Sequence, residues 1–337
     1  MTGRLRYVAW GLIAAAAAFT AALPLLNSDN YLLKVLTYVG LYVIVVTGLA
    51  LLFGFAGQIS LGHAAFFGIG AYASGYVTTT LRWPFLAGLV LAVALSALGG
   101  LALALPTLRL KGHYLAMATL GFSEIASILF VEARQITGGN DGLSNIPYAS
   151  IGSFEFSTPA ANYWLVWGVA ALVLLAAAGI VRSRSGRALS AISGSELGAQ
   201  ACGVNPVRVK VSAFTLSAGM AGLAGCLYAH FLGFVSPSSF GLELSIVLVA
   251  MVVLGGTRSL AGPVAAAVLL TLIPFSDSIV PGLSKGAIAL LQDWKGDIYG
   301  AVIVAVMLFL PGGVAAGLRA MRARGMRARP AGDRGPV

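Results

Sequence analysis

Charge is what this sequence has least of. Only 9% of its 337 residues are Asp, Glu, Lys or Arg, while 58% are hydrophobic. A soluble domain carries about 25% charged residues, so the composition excludes one and points to an all-α polytopic membrane protein. Cysteine is almost missing as well. Cys202 and Cys226 are the only two, too few and too far apart for a zinc site or a disulfide framework, and they read as small core residues. No G-x-x-x-x-G-K-[ST] phosphate loop occurs, so the chain does not bind ATP by that route. It has no H-E-x-x-H, no paired intramembrane carboxylates and no Ser/His/Asp arrangement at a recognisable spacing. The histidines His63, His113 and His230 are scattered and read as packed or interfacial residues, not ligands. An integral membrane enzyme would have no catalytic constellation here, and nothing calls for a cofactor or a metal.

What is abundant is long apolar runs. A membrane span needs about 20 mostly apolar residues. Such runs fall at about 8–26, 34–53, 63–80, 85–105, 113–131, 162–181, 210–232, 242–255, 263–280 and 297–316. The eighth is short, and Gly255-Gly256 with Pro263 make it a candidate half of a broken helix, so the count lies between eight and eleven. Arg4 and Arg6 precede the first run, which reaches Leu26 without a clear small-residue cleavage site.

Orientation follows from the cations. With ten spans and a cytoplasmic N-terminus, 16 of the 21 Lys and Arg residues fall inside, and only Lys34, Arg82, Arg134, Lys285 and Lys295 fall outside. The segment 183–206 is then cytoplasmic and the loop 133–161 external. The net charge of +10 requires no nucleic acid. Its tail run RAMRARGMRARP reads as a topology determinant and a contact for anionic membrane lipids. Three regions result: an N-terminal span with its connection (1–33), a core (34–316) and a basic cytoplasmic tail (317–337), read as disordered.

Four polar stretches interrupt the apolar pattern. The longest in the second half is SRSGRALSAISGSELGAQACGVNP, Ser183 to Pro206. Ser193-Gly194-Ser195-Glu196 has the S-x-x-E form of a capping box. Gly203 offers a left-handed C-terminal position, which predicts a helix over about 194–202 that Pro206 keeps from resuming. Leu197, Ala201 and Cys202 give that helix a small apolar face. A second helical piece, 186–192, carries Leu189 and Ile192 on one side. The segment reads either as a docking element or as an amphipathic surface loop.

Within the fifth run lies Glu124, flanked by Ser123 and Ser127. An ionisable group at that depth faces protein or a water-filled path, which leaves a gate residue or a structural hydrogen-bonding carboxylate. Gly54 to Gly75 is glycine-dense and carries Gln58, Ser60 and His63; close helix packing and irregular backbone beside a cavity both account for it. The external loop holds ITGGNDGLSNIP, where Gly138, Gly139 and Gly142 flank Asn140 and Asp141 in a tight-turn composition.

Taken together, these motifs resemble the branched-chain amino-acid ABC importer permeases, specifically the M-type (LivM-like) subunit. The matching pieces are GFAGQISLGHAAFFGIGAY (54–72), LRLKGHYLAMATLGFSEI (108–125), ITGGNDGL (136–143), GRALSAISGSELGAQACGVNP (186–206), VLGGTRSLAGPV (253–264) and GDIYGAVIVAVMLFLPGG (296–313). They stand in the family's order and cover about residues 34 to 316. The resemblance implies a type II importer permease of the bacterial inner membrane, driven by two cytoplasmic ATPases and paired with a homologous H-type permease. A periplasmic binding protein would deliver leucine, isoleucine or valine.

It further implies that 182–209 is the ATPase-coupling segment, through Gly186, Arg187, Ala188, Leu189, Ile192, Ser193, Glu196, Leu197, Ala201 and Gly203. Gln58, Ser60, His63, Ser123 and Glu124 are the candidates for the substrate path, and Gly138, Gly139, Asn140 and Asp141 for binding-protein docking. Ser193-Gly194-Ser195 stands where family members usually carry more charge. Urea, short-chain amides or other amino acids are the alternative substrates within the family. A secondary transporter is the rival outside it, and it would be expected to show intramembrane acidic clusters or repeat symmetry. The cation split yields a direct test. Single cysteines at Gly194 and Ser144, in a background lacking Cys202 and Cys226, should label from opposite sides of the membrane; same-side labelling would overturn the ten-span orientation.

Overall fold

The computed structural model describes residues 30–272 apart from 108–109, 111 and 257–258. The runs expected at 8–26 and 297–316, the end of the run at 263–280 and the basic tail lie outside the described residues. Six stretches among those described are long and apolar enough to cross a membrane: Asn30–Phe55, Phe85–Thr107, His113–Glu132, Pro159–Arg182, Pro206–Leu232 and Pro237–Gly255.

The first of these is α1 (Asn30–Leu49), which starts four residues ahead of the expected span and runs on through a π-helical turn, Ala50–Phe55. After an irregular loop comes α2 (His63–Thr79), only 17 residues long and buried on nearly every side. A helix apolar all round belongs at the centre of its bundle. Against it pack α3 (Phe85–Thr107), α4 (His113–Glu132) and the 27-residue α9 (Pro206–Leu232), while α6 (Pro159–Arg182) packs on α1. Between α4 and α6 the chain forms a single turn, α5 (Arg134–Thr137), and a two-residue antiparallel hairpin, β1 (Ser150–Ile151) with β2 (Phe154–Glu155). Two short helices, α7 (Arg184–Gly194) and α8 (Glu196–Ala201), join α6 to α9.

Glycine decides how close the central helices come. A Cβ on Gly225 of α9 would sit 2.0 Å from the Phe67 carbonyl oxygen of α2, and one on Gly70 would sit 2.2 Å from the Gly222 carbonyl oxygen. Gly222 in turn leaves room for Ser96 of α3, whose hydroxyl donates to the Phe66 carbonyl at 3.0 Å. Three backbones thus meet where a single methyl group would part them, the small-residue packing that holds membrane helices together. Of the two accounts of the 54–75 glycines, close packing explains Gly68, Gly70 and Gly75, each of which faces an atom within 3.0 Å of a hypothetical Cβ.

The short eighth run has a structural cause. Val235 pairs with Leu143 in an isolated bridge beside the 133–161 loop, and the chain then turns inward through the 3₁₀ turn Pro237–Phe240. There Phe240 packs its ring against Phe67, Tyr72 and Phe130. Only then does α10 (Leu242–Gly255) begin, its Ser245 level with Ala64 at the start of α2, which leaves it 14 residues long. Its end meets α11 (Ala261–Leu272) tightly, with a hypothetical Gly255 Cβ 2.1 Å from the Pro263 nitrogen.

Gly225→Ala should therefore separate α2 from α9 and destabilise the subunit by about 1–3 kcal/mol or more. A lowered thermal midpoint of the detergent-solubilised protein is the readout. Gly168→Ala is the control, since its Cβ meets nothing within 4 Å and it should melt like the wild type.

Candidate functional site

Two places collect the polar groups singled out by the sequence, and they touch. The outer one is α7–α8. Ser183 caps α7, its hydroxyl accepting from the Ser185 N–H at 3.1 Å. Gly186 allows the chain to turn sharply off α6, because a Cβ there would lie 2.2 Å from the Val181 carbonyl oxygen. Leu189 and Ile192 are buried, Ala188 is half-buried and Arg187 is exposed. The expected capping box does not form. Helix α7 runs on to Gly194, so Ser193 lies in its last turn, and the first extended residue is Ser195 (φ −159°, ψ 118°). It is Ser195 that caps α8, accepting from the Gly198 N–H at 3.1 Å.

Freed from capping, Glu196 forms an ion pair with Lys210 of α9. Lys210 is only 8% exposed, and a buried ammonium needs a counter-charge; this demand outweighs the box. Gly203 takes the expected left-handed conformation (φ +79°), with the Val204 N–H donating to the Ala199 carbonyl at 3.0 Å. Pro206 does more than stop a helix: it opens α9, with Asn205 Oδ1 accepting from the Arg208 N–H. The apolar face of α8 points away from the bundle. Leu197 is 80% exposed, and Ala201 and Cys202 are exposed with it. Cys202 is therefore not a core residue, whereas Cys226 is buried.

The inner place is the loop between the π-helical turn and α2. Gly57 adopts φ +70°, and a Cβ on it would come within 3.2 Å of the Ser193 hydroxyl, so the last turn of α7 rests on this loop. Beyond it the chain enters α2 with help from three other helices. The Leu61 N–H donates to Thr119 Oγ1 of α4 at 2.9 Å, and the Ala64 N–H donates to Ser245 Oγ of α10 at 3.2 Å. His63 is fully buried and hydrogen-bonds Ser60 Oγ through Nδ1 (3.0 Å) and Ser217 Oγ of α9 through Nε2 (2.7 Å). It is a packed histidine, as read from the sequence, and so is the buried His230, which bonds the Pro147 carbonyl; His113 is exposed.

Gln58 and Ser123 are buried beside this junction, and neither Gln58 Oε1 nor Ser123 Oγ has a hydrogen-bond partner among the described residues. Glu124 follows Ser123 but turns outward. It is exposed on the face of α4 that carries Tyr114, Met117, Ile125 and Ile128. A hydrogen-bonding structural carboxylate is thus not what the described residues show. One carboxylate escaped the sequence reading. Glu243, near the start of the run 242–255, stands two residues before Ser245, level with the start of α2, and is exposed. Hydropathy gives no signal for it, because an inward-turning segment and a surface helix start share the composition Gly-Leu-Glu.

In the 133–161 loop the glycines are structural. Gly138 and Gly139 have positive φ, and a Gly138 Cβ would lie 2.0 Å from the Gly142 carbonyl oxygen. Asn140 and Asp141 are exposed on the 3₁₀ turn between them.

Residues 31–310 match the family profile described as branched-chain amino acid transport system, permease component. The chain belongs to that family. It is a multi-pass membrane permease and not an enzyme. It is 33% identical over 297 residues to the high-affinity branched-chain amino acid transport system permease protein LivM of Salmonella typhimurium, covering 81% of this chain and 67% of that protein. The Escherichia coli protein of the same name is 32% identical over the same shares. A shorter likeness, 32% over 42% of this chain and 40% of the relative, links it to the autoinducer 2 import system permease protein LsrC of Salmonella paratyphi B. No solved structure matches it.

The observed cap makes a prediction that separates the two serines. Ser195→Ala should cost α8 about 0.5–2 kcal/mol and speed amide exchange at Gly198 and Ala199 by roughly 2- to 30-fold. Ser193→Ala should leave those amides unchanged. Equal effects from both would restore the capping box.

Proposed function

We propose that this chain is the M-type permease subunit of an ABC importer for branched-chain amino acids. In this reading it sits in a bacterial inner membrane with both termini in the cytoplasm. A homologous H-type permease is its partner, two separate ATPases drive it, and a periplasmic binding protein loads it. The observation that carries the proposal is the shape of α7–α8. The pair presents Leu197 and Ala201 outward while its inner side is fixed to the bundle by Leu189, Ile192 and the Glu196–Lys210 pair. A plain connector between spans needs neither feature.

Coupling then has a physical path. ATP-driven closure of the ATPases moves α7–α8. Because Ser193 lies against Gly57, the push reaches the loop carrying Gln58 and Ser60 and the hydroxyls that hold the start of α2. The permease exchanges outward- and inward-facing populations, biased by whichever state the ATPases bind better. The exposed face of α4 is assigned to the partner permease, with Glu124 and Ser123 beside the route and Gln58, Ser60 and His63 at its floor. Binding-protein docking is assigned to Asn140 and Asp141. A different substrate within the same family is the second reading, favoured by the partial likeness to an autoinducer 2 permease.

Reconstitution with the cognate partners tests this. ATP-dependent leucine uptake, competed by isoleucine and valine but not by urea, is the expected result; uptake of another solute alone would favour the second reading. Glu124→Ala should lower uptake by at least tenfold while the complex still copurifies, and Glu124→Gln should separate charge from shape. Wild-type uptake by the alanine variant would remove Glu124 from the route.

A further inference from the structure

A long groove runs down the outside of the bundle, and its chemistry changes along its length. The larger part, about 1030 Å³, lies between α3, α6 and α9 and is walled by Leu89, Val93, Val169, Leu172 and Leu223. That wall is aliphatic almost throughout, and the volume is at the upper end of the range that holds drug-sized ligands. At the α7 end the groove shares Ser212 and Leu216 with a second hollow of about 420 Å³ between α6, α7 and α9. Here polar and cationic groups join the apolar lining: Arg184 and Ser185 from the first turn of α7 line the hollow, and Arg208 from the first turn of α9 lines the groove mouth. Between the two zones is Thr215, whose buried hydroxyl has no partner among the described residues. It stands seven residues along α9 from Arg208, about 10 Å at 1.5 Å per residue.

We propose that this groove binds one anionic phospholipid. The acyl chains lie along the α3–α6–α9 wall, the glycerol ester carbonyls fall near the Thr215 hydroxyl, and the phosphate sits between Arg184 and Arg208. The argument is the sequence of chemistries in space. An apolar channel leads to a hydroxyl and then to two guanidiniums, the order in which a phospholipid presents hydrocarbon, ester and phosphate. Basic hollows between membrane helices on the cytoplasmic side suit anionic head groups for this reason, and a guanidinium matches a phosphate with paired donors. Its head-group end is built from the α7 that the proposed ATPase contact uses. A bound lipid would brace the root of the coupling segment.

The test does not depend on transport and so stands or falls apart from the proposed function. In a background lacking Cys202 and Cys226, Ala176→Cys in the groove wall is labelled with a small fluorophore, and the assembled complex is placed in vesicles. These contain phosphatidylcholine with increasing fractions of phosphatidylglycerol, one or other lipid carrying brominated chains as a quencher. Brominated phosphatidylglycerol should quench at a mole fraction several-fold lower than brominated phosphatidylcholine. Arg184→Gln with Arg208→Gln should abolish that preference, and Arg184→Lys with Arg208→Lys, which keeps the charge, should retain most of it. Equal quenching by both lipids in the wild type would reduce the groove to ordinary bilayer contact and overturn the proposal. Absence of quenching by either would mean that protein, the run 8–26 or the partner permease, covers the groove, and would overturn it as well.

Discussion

Within a bilayer a backbone N–H has no water to turn to, and each one left unpaired costs several kcal/mol. The architecture of this permease depends on how that constraint is met at one point, the start of α2. An irregular loop enters the central helix inside the bundle, where the first-turn amides would otherwise be orphaned. Ser245 of α10 takes one of them, that of Ala64, and Thr119 of α4 takes the Leu61 amide of the loop just ahead, while Ser60 and Ser217 fix His63 between them. The glycine contacts of α2 with α9 follow from the same need, since hydroxyls on neighbouring helices reach the junction only if the backbones come close.

In the coupling role proposed for α7–α8, this junction gives the segment a way to act at a distance. The last turn of α7 rests on Gly57, a few residues from the amides held by Thr119 and Ser245. A displacement of α7 need not travel through the hydrophobic packing of whole helices. It meets a short irregular loop whose far end is held by single hydrogen bonds from Leu61 and Ala64. The Glu196–Lys210 pair ties the other end of the segment to α9, so α7–α8 moves as part of the frame rather than as a hinge hung from it.

Most of the architecture was legible in the sequence because apolar run length and glycine density are direct consequences of the bilayer. The runs at 34–53, 63–80, 85–105, 113–131, 162–181 and 210–232 all became helices, and Gly203 took the left-handed conformation expected of it. What escaped depends on tertiary context. Ser193 and Ser195 are indistinguishable as caps until Ile192 is seen to be buried and α7 must continue past it. Glu196 reads as a capping acid until Lys210, fourteen residues on, is found buried and paired with it. Glu243 could not be placed because the inward turn at Pro237–Phe240 is set by aromatic packing of Phe240, which no local pattern encodes. Of the candidate path residues, Gln58, Ser60, His63 and Ser123 are buried around the 56–63 loop, while Glu124 faces outward.

The hydroxyl clasp on α2 also sets the manner in which the bundle can move. A tilt of α10 that parts Ser245 from the Ala64 amide leaves a buried donor unpaired, at a cost of about 1–3 kcal/mol, until another acceptor arrives. Small displacements are therefore resisted, and larger ones settle only where a new oxygen meets that amide. Motion of this kind is stepwise. The acceptors within reach of that helix turn, a few serine and threonine hydroxyls, thus set where such a tilt can come to rest.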